Sequence, residues 1–367
     1  MIRGPRTQVT AGNITARVTG LLRVVAVGGA LGTTYLGNTY QTANLVSNLL
    51  FELLAAGILS SVLVPPFVAL LEEGRRDEAE RLAGAVLGVA LAVLGAVTVA
   101  GLVARPWIMR TLTVAVQDDT VRDGEVRLGA FLLWLFLPQV LFYAVGSVAT
   151  AVLHGARRFA AAAFAPVANN VLVIATMVAF RAMAGSDAGL DLPVSQRLVL
   201  ALGTTAGVVA MAGVPVVALR RAGVRLRPRW EPSHPGLRAL GRAGAWGAVY
   251  LAMTQLLVGV TLVLANRVEG GVVAYHIAFT TFLLPFAVLA HPVFTTIYPG
   301  LAADAHARRW PGFAETLGRG ARTIAFLTLP AAALLVALAH PGLRLIEVGA
   351  LDDAGSRLVA AALAAYA

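Results

Sequence analysis

Two arginines, Arg17 and Arg23, lie inside an apolar stretch from about Ile14 to Leu31 that is long enough to cross a membrane. A guanidinium does not shed its proton, and at the centre of a bilayer it costs roughly 3 kcal/mol or more. Such a group faces a protein interior or a wet cavity, where it suits an anionic ligand or a buried carboxylate. Snorkelling along the side chain's own stem is the alternative, and it suits Arg17, about one turn into the helix, better than Arg23. Glu52 is the one acid well inside the early apolar spans. Counted from the turn between the first two spans, Arg23 and Glu52 fall at roughly 15 and 20 Å depth. That places them within reach of each other, as a fixed clip or as a pair that opens to release Arg23 to a phosphate.

Polar residues precede Glu52 in a pattern. Gln41, Asn44, Asn48 and Glu52 fall at i, i+3, i+7 and i+11, and Asn38 stands just before them. One helix face therefore carries the amides and the acid, which marks a helix lining a cavity or packing polar to polar. Asn169 and Asn170 follow Pro166 and suit bridging between helices better than ligand binding. Other chemistry is weakly supported. Asp118, Asp119 and Asp123, in DDTVRD, read as a solvated acidic loop between arginines, and the six histidines lack metal-site spacing. His276 and His291 fall inside spans and read as packed side chains. With no Cys, thiol nucleophiles and disulfides are excluded. Neither a metal nor a cofactor is expected.

The elements that must hold these groups are membrane helices. The chain is 58% hydrophobic and only 13% charged, about half the charge of a soluble domain, so it reads as an integral membrane protein. No small-residue cleavage site follows a short apolar run, so the N-terminus does not read as a signal peptide. Apolar windows place spans near residues 11–33, 39–71, 79–104, 127–153, 159–183, 197–219, 240–264, 271–302 and 313–339. A tenth starts near Ser356 and reaches only Ala367, too short to cross, as if the chain were cut inside a helix. Pro65, Pro66, Pro138, Pro166, Pro215, Pro285 and Pro292 interrupt spans and favour kinked helices that move.

All 29 basic residues are arginine. Alternate loops, starting from the N-terminus, hold 18 of them, against 9 in the other set. The positive-inside rule then places the N-terminus in the cytoplasm. The net charge of +10 is topological in this reading and does not imply nucleic acid. The run Arg220–Arg242 could also meet anionic lipid head groups.

A repeat is visible at a shift of 234. It sets Pro65 on Pro299 and Arg75 on Arg309, carries span 1 onto span 7, and carries span 4 onto the short tenth. The predicted fold is all-α and polytopic, with two six-helix bundles related by a pseudo-two-fold along the membrane normal and the second incomplete. The expected division is 1–230 and 231–367, with the substrate site between the bundles near the midplane.

The stretches TARVTGLLRVVAVGGALG and NTYQTANLVSNLLFELLAAGILSSVLVPPFV resemble the opening two helices of the MurJ/MviN lipid II flippases. HGARRFAAAAFAPVANN resembles that family's helix 4–5 junction, and the likeness continues through spans 7 to 9. These proteins belong to the multidrug/oligosaccharidyl-lipid/polysaccharide exporter superfamily and usually have fourteen helices. The resemblance implies export of an undecaprenyl-diphosphate-linked peptidoglycan precursor across the bacterial plasma membrane, by alternating access through a cationic cavity. It implies that Arg17 and Arg23 match important arginines of the first helix, and that Asn48 and Gly57 match the second. The chain departs from the family where Phe51 and Glu52 replace an arginine pair, where Asn38 and Ala56 replace acids, and where Thr280 replaces an arginine.

The expected substrate-binding set is therefore Arg17, Arg23, Asn38, Asn44, Asn48 and Glu52. The expected partners are the lipid-linked glycan diphosphate, membrane lipids and cell-wall synthesis proteins. Other readings are a flippase for a different lipid-linked glycan, a drug/cation antiporter of the same superfamily, a non-transporting scaffold for cell-wall enzymes, or a membrane glycosyltransferase that only DDTVRD supports.

Overall fold

A computed structural model describes residues 5–52, 64–185, 188–233, 235–344 and 353–367. Among these residues every regular element is a helix, and seven stretches are long and apolar enough to cross a membrane. The protein is a multi-pass membrane protein.

The first helix, α1, runs Pro5–Leu31 and the second, α2, runs Tyr35–Phe51. The turn between them is made by Gly32, whose φ of 65° is left-handed, and by Thr34. Thr34 is extended, and its side chain accepts from the Gly37 backbone N–H, capping α2. That cap starts the helix four residues before the position expected from hydropathy. The middle of the expected 39–71 span, with Ala56 and Gly57, lies outside the described residues. The span resumes as α3, Val64–Glu72, and is followed by α4, Arg76–Leu112.

The next span is broken in two. Helix α5 covers Asp119–Phe136 and α6 covers Gln139–Gly155, with Pro138 at the joint. Helix α5 begins well before the expected residue 127. Asp118, read as part of a solvated loop, is its N-cap and accepts from the Thr120 and Val121 backbone N–H groups. Helices α7, Ala160–Ala184, and α8, Val194–Arg221, follow. Beyond them come α9, Pro235–Ala265, and α10, Gly271–Pro285. A π-turn over Phe286–Ala290 then leads into α11, His291–His306. Helix α12 covers Trp310–Arg344, and α13, Asp353–Tyr366, is the short tenth segment. The break at 285–292 is bracketed by Pro285 and Pro292, each of which removes a backbone donor.

Two apolar cores hold α1–α8 together. One gathers Leu36 and Tyr40 of α2, Leu132 and Phe136 of α5, and Phe180 of α7. The other joins Phe67 of α3, Leu87 of α4, Val148 of α6 and Leu219 of α8. Helix α1 lies along α7, and α7 along α8. The later helices pack more sparsely, with Val273 and Ile277 of α10 against Val359 of α13 and Val24 of α1.

Helix ends repeat at the shift seen in the sequence. Helices α1 and α9 end at Leu31 and Ala265, α3 and α11 at Glu72 and His306. Helices α4 and α12 begin at Arg76 and Trp310, α5 and α13 at Asp119 and Asp353. The residue after α3 that turns left-handed is Gly74, φ 74°, and its counterpart after α11 is Arg308, φ 53°. In both places the next arginine's N–H reaches back five residues, Arg75 to Leu70 and Arg309 to Asp304.

Candidate functional site

A cavity of about 700 Å³ opens between α1, α2 and α7 on one side and α9 and α10 on the other. Helix α1 supplies Arg17, Gly20 and Arg23, three residues apart each time and hence on one face. Helix α2 supplies Asn44, Asn48 and Glu52, four apart, and α7 supplies Asn170. From across the cavity α9 contributes Thr254 and Gln255, and α10 contributes Tyr275, His276 and Thr280. Arg23 is half-buried and lines the same cavity as His276. Neither Arg17 nor Arg23 has a carboxylate of the described residues within ion-pair distance.

The expected Arg23–Glu52 pair is not formed. Arg23 is eight residues before the end of α1, about 12 Å deep, whereas Glu52 is 17 residues past the start of α2, about 26 Å deep. The early start of α2 moved Glu52 down the cavity, nearer the level of Arg17. Glu52 instead accepts a hydrogen bond from Gln255 Nε2 at 2.6 Å. Among the described residues the arginines thus have no acidic partner, while Glu52 is held by a neutral amide.

Asn38 is not part of the cavity wall. It sits in the first turn of α2, fully buried, with both ends of its amide committed. Its Nδ2 donates to the Val268 carbonyl at 2.9 Å, and its Oδ1 accepts from the Val272 N–H at 3.0 Å. One turn on, Thr42 meets Asn266 at 3.2 Å, and Asn266 Nδ2 also donates to the Leu112 carbonyl. Gly270, φ 72°, brings the α9–α10 turn so close to the α1–α2 turn that a Cβ there would lie 2.5 Å from Thr33. A buried polar lock therefore seals the cavity at the end that carries both turns. Away from that end, Glu52 and Gln255 join the two sets of helices.

Asn170 bridges helices, as its position suggested, donating to the Ala16 carbonyl at 3.2 Å and to Thr19 Oγ1 at 3.1 Å. Gln255, His276 and Tyr275 are wall residues that sequence reasoning did not select for the site. A second polar stripe on α9, Thr254–Gln255, was the available signal. Glu125 was also missed, because it follows DDTVRD and was counted with the loop.

A pair of unpaired guanidiniums in a polar-walled cavity is suited to hold an anionic, phosphate-like group through charge-assisted bonds. The family model for the lipid II flippase MurJ matches residues 27–367. The chain belongs to the MurJ family. A probable lipid II flippase MurJ of Rhizobium meliloti (strain 1021) is 29% identical over 356 residues, covering 96% of this chain. The lipid II flippase MurJ of Burkholderia cenocepacia is 28% identical over 380 residues, covering 98%. The chain spans 64% of the Rhizobium MurJ protein's length and 68% of the Burkholderia one's. The fold resembles a solved lipid II flippase MurJ in an inward closed conformation, with a TM-score of 0.77 at 18% identity over 97% of this chain and 71% of that one. An inward-facing multidrug resistance MATE transporter gives a TM-score of 0.70 at 17% identity, over 95% and 76%. MurJ and MATE proteins thus share the helix arrangement seen here.

Proposed function

We propose that this chain belongs to a flippase that moves an undecaprenyl-diphosphate-linked peptidoglycan precursor, lipid II, from the inner to the outer leaflet of the bacterial plasma membrane. The observation that carries this is the pair Arg17 and Arg23, with no carboxylate partner among the described residues, in a cavity lined also by Asn44 and Asn48. A diphosphate offers each guanidinium a charged acceptor, and the amides suit the sugar hydroxyls beyond it. In this reading Glu52 limits how tightly the anion is held, so that the cargo can leave.

The arginine-rich loops face the cytoplasm, so the end locked by Asn38, Thr42 and Asn266 faces outward. The conformation then takes cargo from inside. Helices α1–α8 and α9–α13 act as the two lobes, as the helix ends matched at a shift of 234 support. Transport follows when the lobes rock and the buried lock parts. No covalent chemistry is required, and cell-wall synthesis proteins are the partners this role would bring close.

The test is rescue of a strain depleted of its own flippase by the full-length protein. Arg23→Ala should abolish rescue, and lipid-linked precursor should accumulate in the inner leaflet. Intact rescue by Arg23→Ala would favour a scaffold. Altered cation or drug efflux without precursor accumulation would favour the antiporter reading.

A further inference from the structure

Glu125 is the most deeply buried acid among the described residues, at 0% exposure. It lies on α5, next in sequence to Val126 of the core that also holds Leu36 and Tyr40 of α2, and its side chain meets Thr39 of α2. Its Oε2 has no hydrogen-bond partner among the described protein groups, and no described arginine or histidine is within ion-pair distance. Among the described residues, the elements packed against α5 place no ion-pair partner on Glu125, and Arg110 at the end of α4 is exposed. From α2 come Tyr35 and Thr39. Asp118, at the α5 cap, and Glu269, in the α9–α10 turn, act on the Tyr35 phenol. On α4, Arg105 donates to the Leu102 carbonyl, and Arg197 of α8 donates to the Leu192 carbonyl. On α5 itself, Arg122 pairs with Asp119 and Arg127 with Asp191. Helix α6 brings Tyr143 and, at its far end, His154.

One contact decides the chemistry. Thr39 Oγ1 lies 2.8 Å from the Tyr35 carbonyl oxygen and 3.3 Å from Glu125 Oε1. A hydroxyl has one hydrogen and can accept twice. The shorter, backbone contact takes the threonine's hydrogen, because a carbonyl can only accept. The contact to Glu125 is then a hydrogen bond only if the carboxyl supplies the hydrogen. An ionised carboxylate here would face an oxygen lone pair on one side and hydrocarbon on the other, which a buried charge does not tolerate unpaired.

The geometry points to Glu125 as a proton-binding site, with the proton held on the carboxyl and donated to Thr39 while the outward lock is closed. Thr39 adjoins Asn38, the residue that carries the lock, and the turn holding Val268 is the cover over this end of α2. When the lock parts, water reaches the α2–α5 seam. The carboxylic acid then gives its proton to water and becomes a hydrated carboxylate. On closure it takes a proton back before it is buried. This adds an outward-facing proton step to the transport cycle proposed above and rests on that reading only for its use.

Two readouts that need no cargo test it. Infrared difference spectra at neutral pH, of the protein against Glu125→Gln, should show the carbonyl stretch of a protonated carboxylic acid that the variant lacks. A difference containing only carboxylate bands overturns the proposal. The chain has no Cys, so Val114→Cys and Val268→Cys can carry a spin-label pair across the locked end. In nanodiscs the long-distance population should grow as pH rises from mildly acidic to mildly alkaline, and Glu125→Gln should hold the short distance throughout. The same pH curve in the variant overturns it. If Glu125→Gln does not yield monodisperse protein, Thr39→Val serves, since it removes the acceptor and should move the acid's carbonyl band to higher frequency. An unmoved band overturns the assignment. Loss of precursor transport with these readouts intact would count against the lipid II reading alone.

Discussion

Gln255 donates to Glu52 across the cavity at 2.6 Å, joining α9 to α2 through residues 203 apart in the chain. The bond lies deep in the cavity, and it holds the Glu52 carboxylate away from the arginines. Glu52→Gln keeps a polar partner for Gln255 and removes the negative charge. Binding of undecaprenyl phosphate to the purified protein should tighten by about fivefold, the effect of relieving roughly 1 kcal/mol of repulsion in a wet cavity. Equilibrium titration in nanodiscs at low salt measures it.

The arginines should act in the opposite direction. Arg17→Ala and Arg23→Ala each remove charge-assisted hydrogen bonds worth about 1.5–3 kcal/mol, so each should weaken the same binding on the order of 10- to 100-fold. Lysine replacements should recover part of it, since a point charge restores attraction but not the planar fork. Equal loss with a neutral polyprenol would show that the effect lies in the apolar tail.

Asn38 should govern which end is open. Asn38→Leu keeps the size but strands the buried Val272 amide, at about 1–3 kcal/mol, and takes the donor from the part-buried Val268 carbonyl. The locked state loses that energy while an opened, hydrated state does not. A spin-label pair at Val114 and Val268, both well exposed at 63% and 47%, should report a longer distance in the variant. An unchanged distance distribution would show that the polar lock is not what holds this end.

Arg308 occupies a left-handed position where its repeat counterpart has Gly74. Arg308→Gly should raise the unfolding midpoint in detergent, by a stabilisation of about 1 kcal/mol, because glycine meets no Cβ clash there. The Arg309 bond back to Asp304 is a backbone contact and should survive.

Much of this architecture was legible in the residues, because a bilayer imposes length and apolarity on each crossing segment. Among the described residues, seven stretches are long and apolar enough to cross, and a short helix stands where the tenth segment is expected. The errors came from polar residues at helix ends. Asn38 falls just before the span expected from hydropathy, yet Thr34 caps a helix that already includes it. That shift carried Glu52 about 14 Å away from the level of Arg23 and dissolved the expected pair. Asp118 misled in the same way, since a cap and an acidic loop share a composition, and Glu125 two turns on was lost with it. The roles of Gln255 and His276 depend on which faces meet across more than 200 residues, and no local pattern carries that.

The lock also sets a schedule for assembly. Asn38 is made long before Val272, and at about 5–20 residues per second the ribosome takes roughly 10 to 50 s to cover the interval. During that time the first hairpin waits in the bilayer with an amide unanswered and Arg23 without its facing wall. Insertion factors or lipid head groups must shield it until the eighth crossing arrives, so mutations that slow this stretch of synthesis should expose the nascent chain to membrane proteases.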